Sequence, residues 1–188
     1  TRSSWTYGNA AIFLPNPQSP THALFWTQGT HGGSGNKIFL FPIDDTGMPS
    51  ATPLASIEAA TDSVYRDVLV GTKPGRIIGV QRKFGSNRHR DDISYDLDAG
   101  TLVREGQFLV AERTTPEQAT LWGSQYLYIL DHYSHGIGVN TFDAEGALTG
   151  TESSFFAVCT TGVCPGGFPA GQLASHPTLP VIYFAATL

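Results

Sequence analysis

Along this chain apolar and polar positions alternate over short spans, and turns carrying Pro or Gly interrupt the alternation at short intervals. Four segments share one shape, such a turn followed by a largely apolar strand: NPQSPTHALFWTQ, GTKPGRIIGVQR, LWGSQYLYILDH and SHPTLPVIYFAAT. Their strands begin near Ala23, Arg76, Tyr126 and Val181, in steps of 53, 50 and 55 residues. A second motif follows the first three about twenty residues on: IFLFPIDDTGMP, DDISYDLDAGTLV and IGVNTFDAEGALTG. Each is an alternating strand running into an Asp-to-Gly turn, where Gly supplies positive φ and Asp bonds the local backbone. The turn glycines Gly47, Gly100 and Gly146 lie 53 and 46 residues apart. Leading strands precede the turns, as in NAAIFLP at 9–15 and RDVLVG at 66–71. Closing strands follow them, near 51–56, in GQFLVAE at 106–112 and in SSFFAVC at 153–159. The longest helix candidate, PLASIEAATDSVYRDVLV, has apolar residues at mixed spacing and ends in a β-branched run, so no amphipathic helix is predicted.

Four strands per unit at a period near 50 is the pattern of a β-propeller blade. A β-sandwich or barrel could space its strands similarly, but neither gives a reason for the same text to recur. The expectation is an all-β propeller segment over 1–188, about three and a half four-stranded blades. The blades fall at about 9–60, 64–113 and 120–160, with the start of a further one at 172–188. VIYFAATL reads as a core strand with no closing turn after it. An apolar edge left open there would be a liability, so this strand is expected to pair outside the sequence. The missing half of the ring, or a partner chain, would complete it.

SQYLYILDH and HPTLPVIYFA resemble the HP-x-G-x-x-LYV-x-N strand pair of the lactonase-type seven-bladed propeller family. ISYDLDAGTLV and IGVNTFDAEGALT resemble that family's I-x-V-(F/Y)-x-x-D-x-x-G-x-L pair. The family includes bacterial 6-phosphogluconolactonase and fungal carboxy-cis,cis-muconate cyclase, and the resemblance covers most of residues 9–188, about half of a ring. It implies a hydrolase or isomerase that opens or closes the lactone ring of a small acidic substrate, without metal or organic cofactor. A histidine or carboxylate would move the proton and arginine would hold the acid groups. The competing reading is a non-catalytic, secreted propeller that serves as a binding or structural module.

Composition agrees with many short strands: 40% apolar and 11% aromatic against 14% charged, with 21 Gly and 12 Pro. The net charge of −5 argues against nucleic acid or an anionic membrane as main partner. No apolar run approaches the ~20 residues that span a bilayer. The first residue is Thr rather than Met, which reads as a processed or trimmed start.

In a four-stranded blade the connections between second and third strands gather at the mouth of the central channel. Here these are 29–37, 82–92 and 131–138, and they hold four of the six histidines: His31, His89, His132 and His135. Imidazole moves protons at neutral pH, and guanidinium grips carboxylate or phosphate at two points. His132, His135 and His31 are therefore the candidate catalytic residues, with Arg82, Arg88, His89 and Asp131 as substrate-binding groups. Lys83 and Arg90 lie in the same second connection. Against this, RHRDD could be a solvated hairpin tip whose charges neutralise one another. A metal site of Asp131, His132 and His135 is disfavoured, because a strand sends neighbours 131 and 132 to opposite faces. Cys159 and Cys164, in CTTGVC, are spaced to close a small disulfide, which would favour an oxidising, extracellular compartment. They could equally be two free thiols in the 158–172 loop, itself a candidate rim element over the mouth. His176 reads as a blade-turn residue. No nucleophile elbow, phosphate-cradling loop or dinucleotide fingerprint occurs.

Overall fold

Gly47, Gly100 and Gly146 have φ of 85°, 63° and 75°, the left-handed region that glycine enters without steric penalty. In each turn the preceding Asp caps the local backbone, as its short side chain is suited to do. Asp44 accepts from the Thr46 and Met48 amides at 2.9 Å. Asp96 accepts from those of Asp98 and Ala99, and Asp143 from that of Ala147, all at 2.9 Å. These turns set the register of the strands around them. The computed structural model describes residues 6–15, 22–30, 36–61, 63–83, 88–110, 116–131, 136–157 and 172–185.

Three four-stranded antiparallel sheets follow one another along the chain, each with its strands paired in sequence order. The first blade holds β1 (Thr6–Pro15), β2 (His22–Thr30), β3 (Lys37–Pro42) and β4 (Ala55–Glu58). The second holds β5 (Ser63–Val70), β6 (Arg76–Lys83), β7 (Arg88–Asp96) and β8 (Thr101–Val110). The third holds β9 (Pro116–Trp122), β10 (Tyr126–Asp131), β11 (Gly136–Phe142) and β12 (Leu148–Ala157). A further pair, β13 (Gln172–Ser175) and β14 (Ile182–Ala185), begins a fourth blade. Among the described residues there is no helix, and β14 pairs with β13 alone. β8 and β12 start directly after their turns, several residues earlier than the apolar runs suggested.

The first strands β1, β5, β9 and β13 pack on one another in succession, while the last strands β4, β8 and β12 do so on the far side. The sheets are thus arranged radially, first strands innermost, as in a β-propeller. Each inner blade buries both faces, so its strands read as continuous apolar runs rather than clean alternation. β6 illustrates this. Ile77 joins Ile38, Leu40, Tyr65, Val68 and Ile93 between blades 1 and 2. Its neighbours Ile78 and Val80 join Ala119, Leu127, Ile129 and Leu148 between blades 2 and 3. Leu130 and Leu173, with Tyr128 and Phe184 against them, begin the joint between blade 3 and the β13–β14 pair.

Candidate functional site

The connections between second and third strands leave one end of the three blades. Of the residues expected there, His31, His132 and His135 lie outside the described residues, as do Cys159 and Cys164. Arg88 and His89 are not loop residues: they open β7, with backbones opposite Val110 and Leu109.

The solvated-tip reading of RHRDD is overturned at its last three positions. Arg90 and Asp91 are 0% exposed and Asp92 is 4% exposed. The chain is already in strand at residue 88, so alternation buries these side chains between blades and parts Asp91 from its neighbours Arg90 and Asp92. Asp91 lies on the face of Ile93, toward blade 1. Arg90 and Asp92 lie on the opposite face, toward blade 3.

Toward blade 1, Asp91 is the centre of a buried network. Its Oδ2 accepts from Tyr65 Oη at 2.5 Å, Gln81 Nε2 at 2.6 Å and Arg104 Nε at 2.9 Å. Its Oδ1 accepts from Gln107 Nε2 at 3.1 Å. Gln81 Oε1 in turn accepts from the Ala60 amide at 2.8 Å, and Arg104 donates to the Glu58 carbonyl. All four strands of blade 2 and the end of blade 1 are tied together. Burial, with Asp91 beside it, pushes the Tyr65 phenol far above its ordinary pKa. Burial works against the charge of Arg104, yet Tyr65 and Asp91 hold its pKa above the ordinary value. With the carboxylate fully surrounded by donors, this network is a joint between blades.

Toward blade 3 the situation differs. Arg90 pairs with Val80 and Phe108, both of which face blade 3. Burial lowers its pKa to about 10, and Glu152 of β12 opposes that fall. Among the described residues, Nε and both terminal nitrogens of Arg90 have no hydrogen-bond partner. Across the gap, Asn140 of β11 is 0% exposed and sits between Leu127 and Glu152 on the facing side of blade 3. Among the described residues neither its Oδ1 nor its Nδ2 has a hydrogen-bond partner. The Glu152 carboxylate lies directly over Gly138, where any larger residue would displace it. Arg82, half-buried near the end of β6, and Asp131, 3% exposed at the end of β10, also occupy the two facing sides by alternation. Blades 2 and 3 therefore bring two arginines, two carboxylates and an amide to one interface, with Arg82 and Asp131 at the end that carries the histidine-bearing connections.

At the opposite end of the same interface, a cleft of about 410 Å³ is lined by Lys73, Gln125, Tyr126 and Asp143 among others. Lys73 Nζ donates to the Ala144 carbonyl at 3.2 Å and Thr72 to that of Gly146 at 3.0 Å, so these groups clamp neighbouring turns. Among the described residues no three His, Cys, Asp or Glu side chains are grouped to hold a metal, and no helix is long and apolar enough to cross a membrane.

The radial order of blades sharing one strand–turn–strand text agrees with solved structures. A protein from Lactobacillus plantarum superposes with a TM-score of 0.64 at 15% identity, over 92% of this chain and 46% of its own. A proposed 6-phosphogluconolactonase from Bacteroides uniformis gives 0.59 at 14% identity, over 84% of this chain and 50% of its own. Another from Bacteroides fragilis gives 0.55 at 19%, over 71% and 36%. The fold is that of the lactonase-type β-propeller. The chain spans half or less of the length of these structures. No family model and no curated protein matches it.

Asn140 and Glu152 were not singled out in the sequence, and Arg90 was placed there only as a residue of the second connection. The signal was present in Ile93: counting back by twos assigns Asp91 to the face of Ile93 and Arg90 to the other. Asn140, polar in the middle of the apolar strand IGVNTF, was a second pointer.

Proposed function

We propose that the protein opens or closes the lactone ring of a small acidic substrate, the remaining blades being supplied by a longer chain or a partner chain. The observation that carries this reading is the charged set on a lactonase-type fold: Arg82 and Asp131 on facing sides of blades 2 and 3, at the ends leading into the histidine-bearing connections. In the opening direction, water adds to the acyl carbon and loses a proton to a base, His132 or His135. The ring oxygen leaves as an alkoxide and takes a proton from the conjugate acid. Charge develops on the acyl oxygen, and a guanidinium such as Arg82 or Arg88 stabilises it or holds the substrate's acid group. His31, His89 and Asp131 complete the lining in this reading. No step calls for a metal. A Cys159–Cys164 disulfide would suit an extracellular setting for the same enzyme.

The test is turnover of a panel of five- and six-membered lactones bearing carboxylate or phosphate groups by the native protein. His132→Ala and His135→Ala should lower kcat roughly a hundredfold or more for at least one of the two positions. Arg82→Met should act mainly on KM. Unchanged turnover in both histidine variants would instead support the binding-module reading.

A further inference from the structure

We propose that His176 is an acid-sensitive clasp: its unprotonated Nδ1 holds the 176–181 turn closed, and proton uptake opens that turn and loosens the joint between blade 3 and the β13–β14 pair. The turn joins β13 to β14, at the end of the blades away from the histidine-bearing connections. The clasp acts whatever reaction the chain supports.

Nδ1 of His176 accepts from two backbone amides, those of Thr178 at 3.1 Å and Leu179 at 2.9 Å. An imidazole nitrogen that accepts carries no hydrogen, so the ring is neutral with its one proton on Nε2. Imidazole takes up a second proton within the range of about pH 8 to 5. That proton goes to Nδ1, directly against two N–H donors, and turns both bonds into repulsions. Leu179 is held from its other side as well. Its carbonyl accepts from Trp122 Nε1 at the end of β9, at 2.9 Å, and from the Val181 amide at 2.7 Å. One residue thus links the imidazole to blade 3. Once its amide is released, the backbone that aims its carbonyl at the indole loses its anchor.

The surroundings leave this switch to His176. The turn reads HPTLPV and β13 reads QLAS, with no other acid or base in either. From β14, Tyr183 is the titratable side chain that faces it, with ring centroids 6.1 Å apart. From β9 the residue that touches the turn is Trp122, which carries no charge. Among the described residues no carboxylate pairs with His176. The inner part of the same joint is held differently. There Gln118 Oε1 accepts from the Leu173 amide at 3.2 Å, and Leu173 packs on Leu130, contacts with no proton to gain. Opening is therefore confined to the turn end.

Amide hydrogen exchange of the native protein, corrected for the intrinsic rate at each pH, reads the clasp residue by residue. Protection of the Thr178 and Leu179 amides should fall about tenfold between pH 7.5 and 5, the scale of one lost hydrogen bond. The Trp122 indole resonance should shift over the same range, while the Leu173 amide keeps its protection. His176→Asn retains an acceptor oxygen near the position of Nδ1 but has no proton to gain, so both amides should stay protected at both pH values. His176→Ala should leave them unprotected at both, and Tyr183→Phe should respond as the wild type does. The clasp is refuted if wild-type protection does not change with pH, or if His176→Asn loses it in acid. Full protection in His176→Ala refutes it too, as does a response that disappears in Tyr183→Phe. An equal fall at Leu173 would mean that the whole joint parts, and would remove the turn as its cause.

Discussion

Tyr65 donates a 2.5 Å hydrogen bond to Asp91, 26 residues further along the chain, inside the joint between blades 1 and 2. Asp91 accepts three more bonds, from Gln81, Arg104 and Gln107. Removing one donor and removing the acceptor should therefore differ. Tyr65→Phe leaves a carboxylate with three donors and should cost about 1–2 kcal/mol. Asp91→Asn turns an amide N–H toward existing donors and strands a half-buried guanidinium, at a cost of roughly 3–5 kcal/mol. Urea unfolding of both variants would show it; equal losses would mean the joint is held by packing alone.

Asp67 predicts how stability varies with pH. Burial pushes its pKa from 3.8 up to about 6, against bonds from the Ala119 and Val68 amides that lower it. The folded pKa is the higher one, so the folded state favours the protonated form. The associated stability is fully present below pH 3.8 and is lost as pH rises through 6. The difference amounts to about 3 kcal/mol across that window. Unfolding free energies of the wild type should fall relative to those of Asp67→Asn between pH 4 and 6.5, then run parallel. Parallel curves throughout would show that Asp67 keeps its ordinary pKa when folded.

How legible each feature was depended on how local its cause is. The Asp–Gly turns obey rules contained within four or five residues, so Gly47, Gly100 and Gly146 could be placed in advance, although before Gly100 the capping residue is Asp96 and not the Asp98 that an Asp-x-Gly spacing points to. Their recurrence gave the blade period and hence the fold. The site did not follow in the same way. Whether Arg90 is a loop cation or a buried one depends on where β7 begins, and hydrophobicity says little about a strand that starts with RHRDD. Asn140 and Glu152 acquire significance only from blade 2 packing against them, a relation between strands 50 residues apart.

The turn glycines should not tolerate substitution equally. At Gly47 a Cβ would meet nothing within 4 Å, so Gly47→Ala pays only for the left-handed φ, about 1–2 kcal/mol. At Gly146 a Cβ would stand 2.7 Å from Thr72 Oγ1 and 3.0 Å from the Lys73 stem. Gly146→Ala adds that collision to the backbone strain and loosens the clamp between blades 2 and 3. Thermal unfolding should show the larger loss for Gly146→Ala; the reverse order would contradict the packing of that turn.

Gly79 tests the same joint as Tyr65 from beneath. A Cβ there would lie 2.6 Å from Tyr65 Cε1 and 3.1 Å from Ile38 Cδ1. Both neighbours are fully buried, so neither can move aside without disturbing the core between blades 1 and 2. Gly79→Ala should cost about 1–3 kcal/mol as an overpacking change. If the collision with the ring is the cause, shortening the ring should relieve it. In a Tyr65→Leu background the added methyl should cost less than half as much, a coupling that independent sites do not show. Additive losses in the double variant would place the penalty in the strand backbone of β6 and remove the ring as its source.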